Sequence, residues 1–336
     1  MTRTRTRAVR PADVLPLRTA LVLSTVVFLS ACTSSAEIEA DQRAEVAAEA
    51  GATETVLEVD TSPGQADRVR TDEAPDAAAL IPADVAEDGV LTVGVNGSGE
   101  PPLGFLADDN ATVVGSEVDI AQLVADALGL ELEVVNTSWE QWPLGVQSGD
   151  LEAVFSNVGV NAERLQLFDF ATYRQGIMAF TARPGSGLSI EEPADIAGLT
   201  IAVGSGTNQE RILLDWNAQN EAAGLAPATL EYYAVASDAL LAVQSGRIDT
   251  YIGPHPNAVY QESVGGDVEI VGTVNAGWPN TTYVAATTLK GNGLVEAVEA
   301  ALQHAFDDGS YAATLDRWGL ADEAVDAPVV NPPVGS

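Results

Sequence analysis

Cysteine is nearly absent from this 336-residue chain: Cys32 stands alone, so no internal disulfide framework can form. Lysine is equally scarce, with Lys290 its single instance, and lysine and arginine together number 15 against 49 aspartates and glutamates. The formal net charge of −34 and the lack of a basic stripe set nucleic-acid binding aside. With two histidines, His255 and His304, no His/Cys set with metal-ligand spacing can be drawn, and no glycine-rich phosphate loop of the required form occurs. The uncharged stretch 19–31 has thirteen residues, too few to span a bilayer as a helix.

That short stretch follows Arg3, Arg5, Arg7, Arg10 and Arg18, the plan of a secretory leader. It ends in Leu29-Ser30-Ala31-Cys32, a word that resembles a bacterial lipobox. The resemblance implies that Cys32 becomes the lipidated first residue, holding the protein on the outer face of the cytoplasmic membrane. The competing reading is a buried thiol beside an uncleaved signal-anchor. Without the leader, ten basic residues face 48 acidic ones, a formal charge of −38. The acids are spread along the chain, which suits solubility rather than capture of a ligand at one point.

Residues 33–76, rich in Ala, Glu, Asp, Thr and Ser, read as an acidic disordered tether. From 77 to 321 strands alternate with helices, and 322–336, with Pro328, Pro332 and Pro333, reads as an irregular tail. Strands are expected at 91–95, 130–135 and 151–155. Helices are expected at 118–128, with Gly129 as a left-handed cap, and at 139–148, where Pro143 must fall in the first turn. Strand, helix and strand in that order imply parallel crossovers and an α/β fold.

A repeated word organises this region. Val146-Gln147-Ser148-Gly149-Asp150-Leu151-Glu152 recurs as Val243-Gln244-Ser245-Gly246-Arg247-Ile248-Asp249. Leu91-Thr92-Val93-Gly94-Val95 has a counterpart in Leu199-Thr200-Ile201-Ala202-Val203, although strand openings also coincide by chance. Two similar α/β halves facing each other beyond their strand ends define a cleft.

Several words then occur in order: residues 89–95, Pro101-Pro102, Gly115 with Glu117-Val118-Asp119, Gln147-Ser148-Gly149, Asn161-Ala162-Glu163-Arg164, and Phe168-Asp169-Phe170-Ala171. Together they resemble the bacterial extracellular solute-binding proteins of family 3, the amino-acid-type receptors of ABC importers, over about 80–321. The resemblance implies a two-lobed periplasmic-binding-protein-like fold with crossing hinge segments near 177–181 and 282–286. Lobe 1 would comprise 77–178 and 283–321, and lobe 2 would comprise 179–282. It also implies a monomeric receptor without cofactor or metal that delivers a small carboxylate-bearing solute to a membrane permease.

Site residues follow from the same words. The family's arginine at Arg164 holds the ligand carboxylate, a task suited to a planar charged fork; by itself it would read as a surface ion pair. Thr207 and Asn208 open a helix beneath the strand at 200–203, either as a cap or as a carboxylate contact. Ser156, Asn157 and Gly159 match the stretch lining the pocket, or form an ordinary strand exit. Trp139 matches a stacking aromatic, Trp142 reads as core, and Trp278 reads as cleft or hinge packing. Two departures stand out: Glu100 replaces an aromatic before Pro101-Pro102, and Pro254 replaces the aspartate that receives an ammonium group. Either Glu100 or a neighbour supplies the missing charge, or the ligand is not an ordinary α-amino acid. His255 is placed to donate to an anion or to serve as a structural hydrogen bonder, and His304 reads as surface. The alternatives are a dehydratase-like enzyme on the same fold, for which only a Glu100 and Glu140 acid/base pair presents itself, and a surface sensor.

Overall fold

The computed structural model describes residues 57–83 and 88–334. Cys32, the leader and the first part of the expected tether lie outside the described residues. Strands β1 (Val90–Val95), β2 (Phe105–Leu106), β3 (Val113–Val114), β4 (Glu131–Asn136), β5 (Ala153–Val154) and β6 (Phe168–Gln175) precede the first crossing. After it come β7 (Ile177–Ala182), β8 (Thr200–Val203), β9 (Thr229–Tyr232), β10 (Thr250–Pro254) and β11 (Glu269–Asn275), then β12 (Tyr283–Leu289). The helices are α1 (Pro75–Ala78), α2 (Ser116–Leu128), α3 (Trp142–Ser148), α4 (Asn208–Ala222), α5 (Ala236–Gln244), α6 (His255–Gly265), α7 (Leu294–Asp308) and α8 (Ser310–Arg317).

Two five-stranded sheets, β4-β1-β5-β12-β6 and β11-β7-β10-β8-β9, share one plan. In each, a central strand is parallel to its neighbours on both sides, and two antiparallel strands complete the other edge. The repeated word has the same task in both halves. Glu152 accepts a hydrogen bond from the Thr92 backbone N–H at 2.7 Å, and Asp249 accepts one from Thr200 at 2.8 Å, each locking a helix-to-strand return onto the strand with parallel neighbours on both sides. Gly149 and Gly246, at φ 82° and 74°, make the left-handed turns that the returns require.

Local chemistry fixes the elements as read from the sequence. Gly129 caps α2 at φ 68°, and Pro143 sits in the first turn of α3, where its missing N–H costs nothing. Gly115 precedes α2 because a Cβ there would lie 1.7 Å from the Leu103 carbonyl oxygen. Apolar side chains of the first sheet and of α2, α7 and α8 form one core around Leu91, Ile120, Leu123 and Leu302. The second core centres on Phe180 stacked on Trp216, centroids 5.8 Å apart.

Three expectations are corrected. The chain changes sheets at Gly176, whose N–H and carbonyl bond to Thr282 and Ala276, and returns through 276–282; the segments expected as hinges are strands β7 and β12. The tether does not run to Asp76, because packing on lobe 1 begins at Leu57, which lies against Gly319, and continues with Arg68 bonded to buried Asp119 at 2.7 Å. The tail is not irregular throughout. Val329 and Asn331 exchange backbone hydrogen bonds with β6, covering an edge that would otherwise be open, and Glu323 is buried.

Candidate functional site

The loop leaving β5 builds one wall. Ser156 Oγ accepts from the Asn96 N–H at 2.8 Å, and Asn157 adopts φ 53°, held by its N–H to Glu117 at 3.0 Å and by Arg174 to its Oδ1 at 2.5 Å. Asn161 Oδ1 accepts from the Arg164 N–H at 2.8 Å, orienting the residue that enters the cleft.

The start of α4 builds the facing wall. Thr207 caps the helix by accepting from the Glu210 N–H at 3.1 Å, while Glu210 accepts from Gly206 N–H at 2.6 Å. Asn208 is buried and its Oδ1 accepts from Asn161 Nδ2 at 3.0 Å across the cleft. Its own Nδ2 is buried with no partner.

Arg164 lies between the walls. Its guanidinium donates to the carbonyls of Gly159 at 2.7 Å and Gly206 at 3.0 Å, one on each lobe, and stacks over Trp139 at 5.0 Å. Burial, with Arg211 nearby, pushes it down to about 10, so it stays cationic at neutral pH. Among the described residues no carboxylate lies within ion-pair distance of it, Glu163 acting only through its nearby charge, in a chain of net charge −34.

Behind Arg164 is a cavity of about 100 Å³ lined by Trp139, Ser156, Asn157, Gly159, Met178, Thr207, Asn208 and Gln209. In front of it the cleft opens to about 550 Å³, walled by Trp139, Trp142 and the start of α4. Seven of the nine residues singled out from the sequence thus meet in one place. Glu100 and His255 do not.

Glu100 enters a separate chamber of about 50 Å³ with Tyr251 and Gln261, and its carboxyl is raised by desolvation, opposed by the Gln261 hydrogen bond. It does not share a cavity with Glu140, which lines the outer cleft. His255 Nδ1 lies 3.0 Å from a carboxylate oxygen of Glu323. Trp142 is core, as expected, and Trp278 packs edge-on against Trp216 while walling a cavity of about 300 Å³ behind the hinge.

Pro254 pairs with Met178 in the β10 and β7 register and lines the chamber that Glu100 enters, offering no charge. Sequence reasoning passed over a buried group at the end of β6. Arg174, wholly buried, donates to Glu117 at 3.2 Å and to Glu323, while Tyr173 donates to Glu117. The two carboxylates raise the Arg174 guanidinium against its burial, and burial with Glu117 pushes Tyr173 far above the usual phenol. An arginine within the apolar strand 168–175 was the available signal; Glu323 had none.

Comparison with known proteins places this geometry. Residues 91–321 match the model of the bacterial extracellular solute-binding proteins, family 3. The chain belongs to that family. It is 29% identical over 267 residues to the arginine-binding protein ArgT of Corynebacterium glutamicum, covering 79% of this chain and 86% of the relative. It is 27% identical over 238 residues to the L-cystine-binding protein TcyA of Bacillus subtilis, covering 70% and 83%. The fold matches the amino acid ABC transporter substrate-binding protein AbpA of Streptococcus pneumoniae bound to L-arginine, with TM-score 0.62, 22% identity, and 71% and 99% coverage. It also matches the ancestral amino-acid-binding protein AncCDT-1, a precursor of cyclohexadienyl dehydratase, with TM-score 0.61 and 23% identity over 71% of this chain and 99% of that one. This family member has a two-lobed α/β fold, and the relatives above are named for binding arginine and L-cystine. Among the described residues, no helix is long and apolar enough to cross a membrane.

Proposed function

We propose that this chain is the lipid-anchored substrate-binding component of an ABC importer. It captures a small carboxylate-bearing solute, an amino acid or a related acid, between its lobes and delivers it to a membrane permease. The observation that carries this reading is Arg164: stacked on Trp139, without an ion-pair partner among the described residues, and bordered by the buried, unpartnered Asn208 Nδ2. A carboxylate entering the cavity would replace carbonyl contacts with charge-assisted ones and give Asn208 an acceptor. The relatives named for arginine and cystine support an amino-acid ligand. The cavity lining itself, one cation and no carboxylate, favours a solute whose carboxylate is the principal anchor.

Isothermal titration of the purified chain against L-arginine, L-cystine, other amino acids and their deaminated acids tests the solute class. Saturable binding supports the reading, and its absence across every carboxylate in the panel overturns it. Anchoring is tested separately: Cys32→Ala moves the protein into the soluble fraction if Cys32 carries the lipid, whereas retention after a carbonate wash contradicts a lipid anchor.

A further inference from the structure

We propose that the C-terminal segment is a closure strap, in which Glu323, fastened to lobe 1 by Arg174, grips lobe 2 through His255 and thereby favours the closed arrangement of the lobes. Glu323 is 2% exposed although it lies at the end of a 3₁₀ turn, Ala321–Glu323, in a tail. One carboxylate oxygen accepts from Arg174 Nη1 on β6, and the other lies 3.0 Å from Nδ1 of His255, the first residue of α6. A carboxylate beside arginine is an acceptor, so the imidazole nitrogen is the donor. A single buried acid therefore joins a strand of lobe 1 to a helix of lobe 2.

The family match ends at 321, so the strap lies beyond the family region. The tail is not placed by Glu323 alone, because Val329 and Asn331 hold it along β6 and Gln175 Nε2 donates to the Ala324 carbonyl at 2.9 Å. The same helix makes further contacts with lobe 1: Asn257 Nδ2 donates to the Glu100 and Pro101 carbonyls at 2.6 and 3.0 Å, and Gln261 donates to Glu100. The charged group facing His255 is Glu323, with Arg174 and Glu117 behind it, and Glu100 meets the same helix farther along, at Asn257 and Gln261. Hydrogen bonds to a charged group carry more energy than neutral ones, and this partly buried one is released only when the lobes part.

The test needs no solute, so it fails or succeeds independently of the proposed function. In the full chain with Cys32→Ser, cysteines replace exposed Leu144 on α3 and Leu241 on α5, and spin labels report the distance between lobes by pulsed electron resonance. The parent is expected to give mainly the shorter, closed distance. His255→Ala should shift the closed-to-open ratio about tenfold toward open, in line with loss of one charged hydrogen bond. His255→Asn, whose amide can donate from the place of Nδ1, should restore the parent distribution. Both variants leave Glu323 on Arg174, so lobe 1 keeps its buried pair. An unchanged distribution in His255→Ala, or an asparagine variant that behaves like alanine, overturns the strap.

Discussion

Gly159 and Asn208 face each other across the cleft so closely that a Cβ on the glycine would lie 2.6 Å from Asn208 Nδ2. The lobes can meet there only because one side has no side chain. Gly159→Ala is therefore expected to hold the lobes apart and weaken solute binding by about tenfold, roughly the lower end of an overpacking penalty. Because the clash exists only in the closed form, the melting temperature should fall little, and titration calorimetry beside a melt separates the two effects.

Arg164→Ala removes the cation from the cavity. Loss of charge-assisted contacts of about 1.5–3 kcal/mol predicts solute binding weaker by a factor of ten to a hundred or more. Stability should be nearly unchanged, since the guanidinium bonds to carbonyls and not to a buried acid. An unaltered dissociation constant would refute the assignment.

Arg174 behaves in the opposite way. Arg174→Met leaves Glu117 and Glu323 buried without their shared cation, a loss of about 3–5 kcal/mol for a broken buried pair. Urea unfolding should show a marked fall in midpoint even without solute. A variant as stable as the parent would mean that Glu117 and Glu323 take up protons or water at little cost.

Glu100 gives the interlobe contact a pH dependence. Its carboxyl is raised in this closed form, chiefly by desolvation. The closed form therefore holds the proton more tightly than an exposed glutamate does. The stability it contributes is full below the ordinary carboxyl value and is lost as pH rises through the raised one. Melting curves taken upward from about pH 4, at and above the ordinary glutamate range, should slope downward in the parent and flatten in Glu100→Gln. A parallel slope in the variant would assign the dependence to other acids.

The halves of the fold are legible because the repeated word at 146–152 and 243–249 encodes a local return, in which a glycine turns the chain and an acid ties it to the neighbouring strand. The Arg164 cavity is legible for a similar reason: Ser156, Asn157, Gly159 and Arg164 sit within nine residues, and Thr207 and Asn208 form one helix start. The hinge was misplaced because alternation runs unbroken from β6 to β7, so nothing in the pattern marks where a strand leaves one sheet for the other. Glu100 and His255 stand away from the Arg164 cavity because their partners come from the meeting of the lobes, and no signal in the sequence assigns Glu323 a role. Glu323 lies 149 residues from Arg174 and is one of 49 acids, so no spacing announces the pair.

The docking of residues from Leu57 onward has a mechanical consequence. Both the incoming chain and the outgoing tail are fastened to lobe 1, and lobe 2 is suspended between Gly176 and the 276–282 return. Any pull on the chain ahead of Leu57 is borne by lobe 1 and bypasses the hinge. The second lobe can swing like a door whose frame, and not whose leaf, is fixed to the wall.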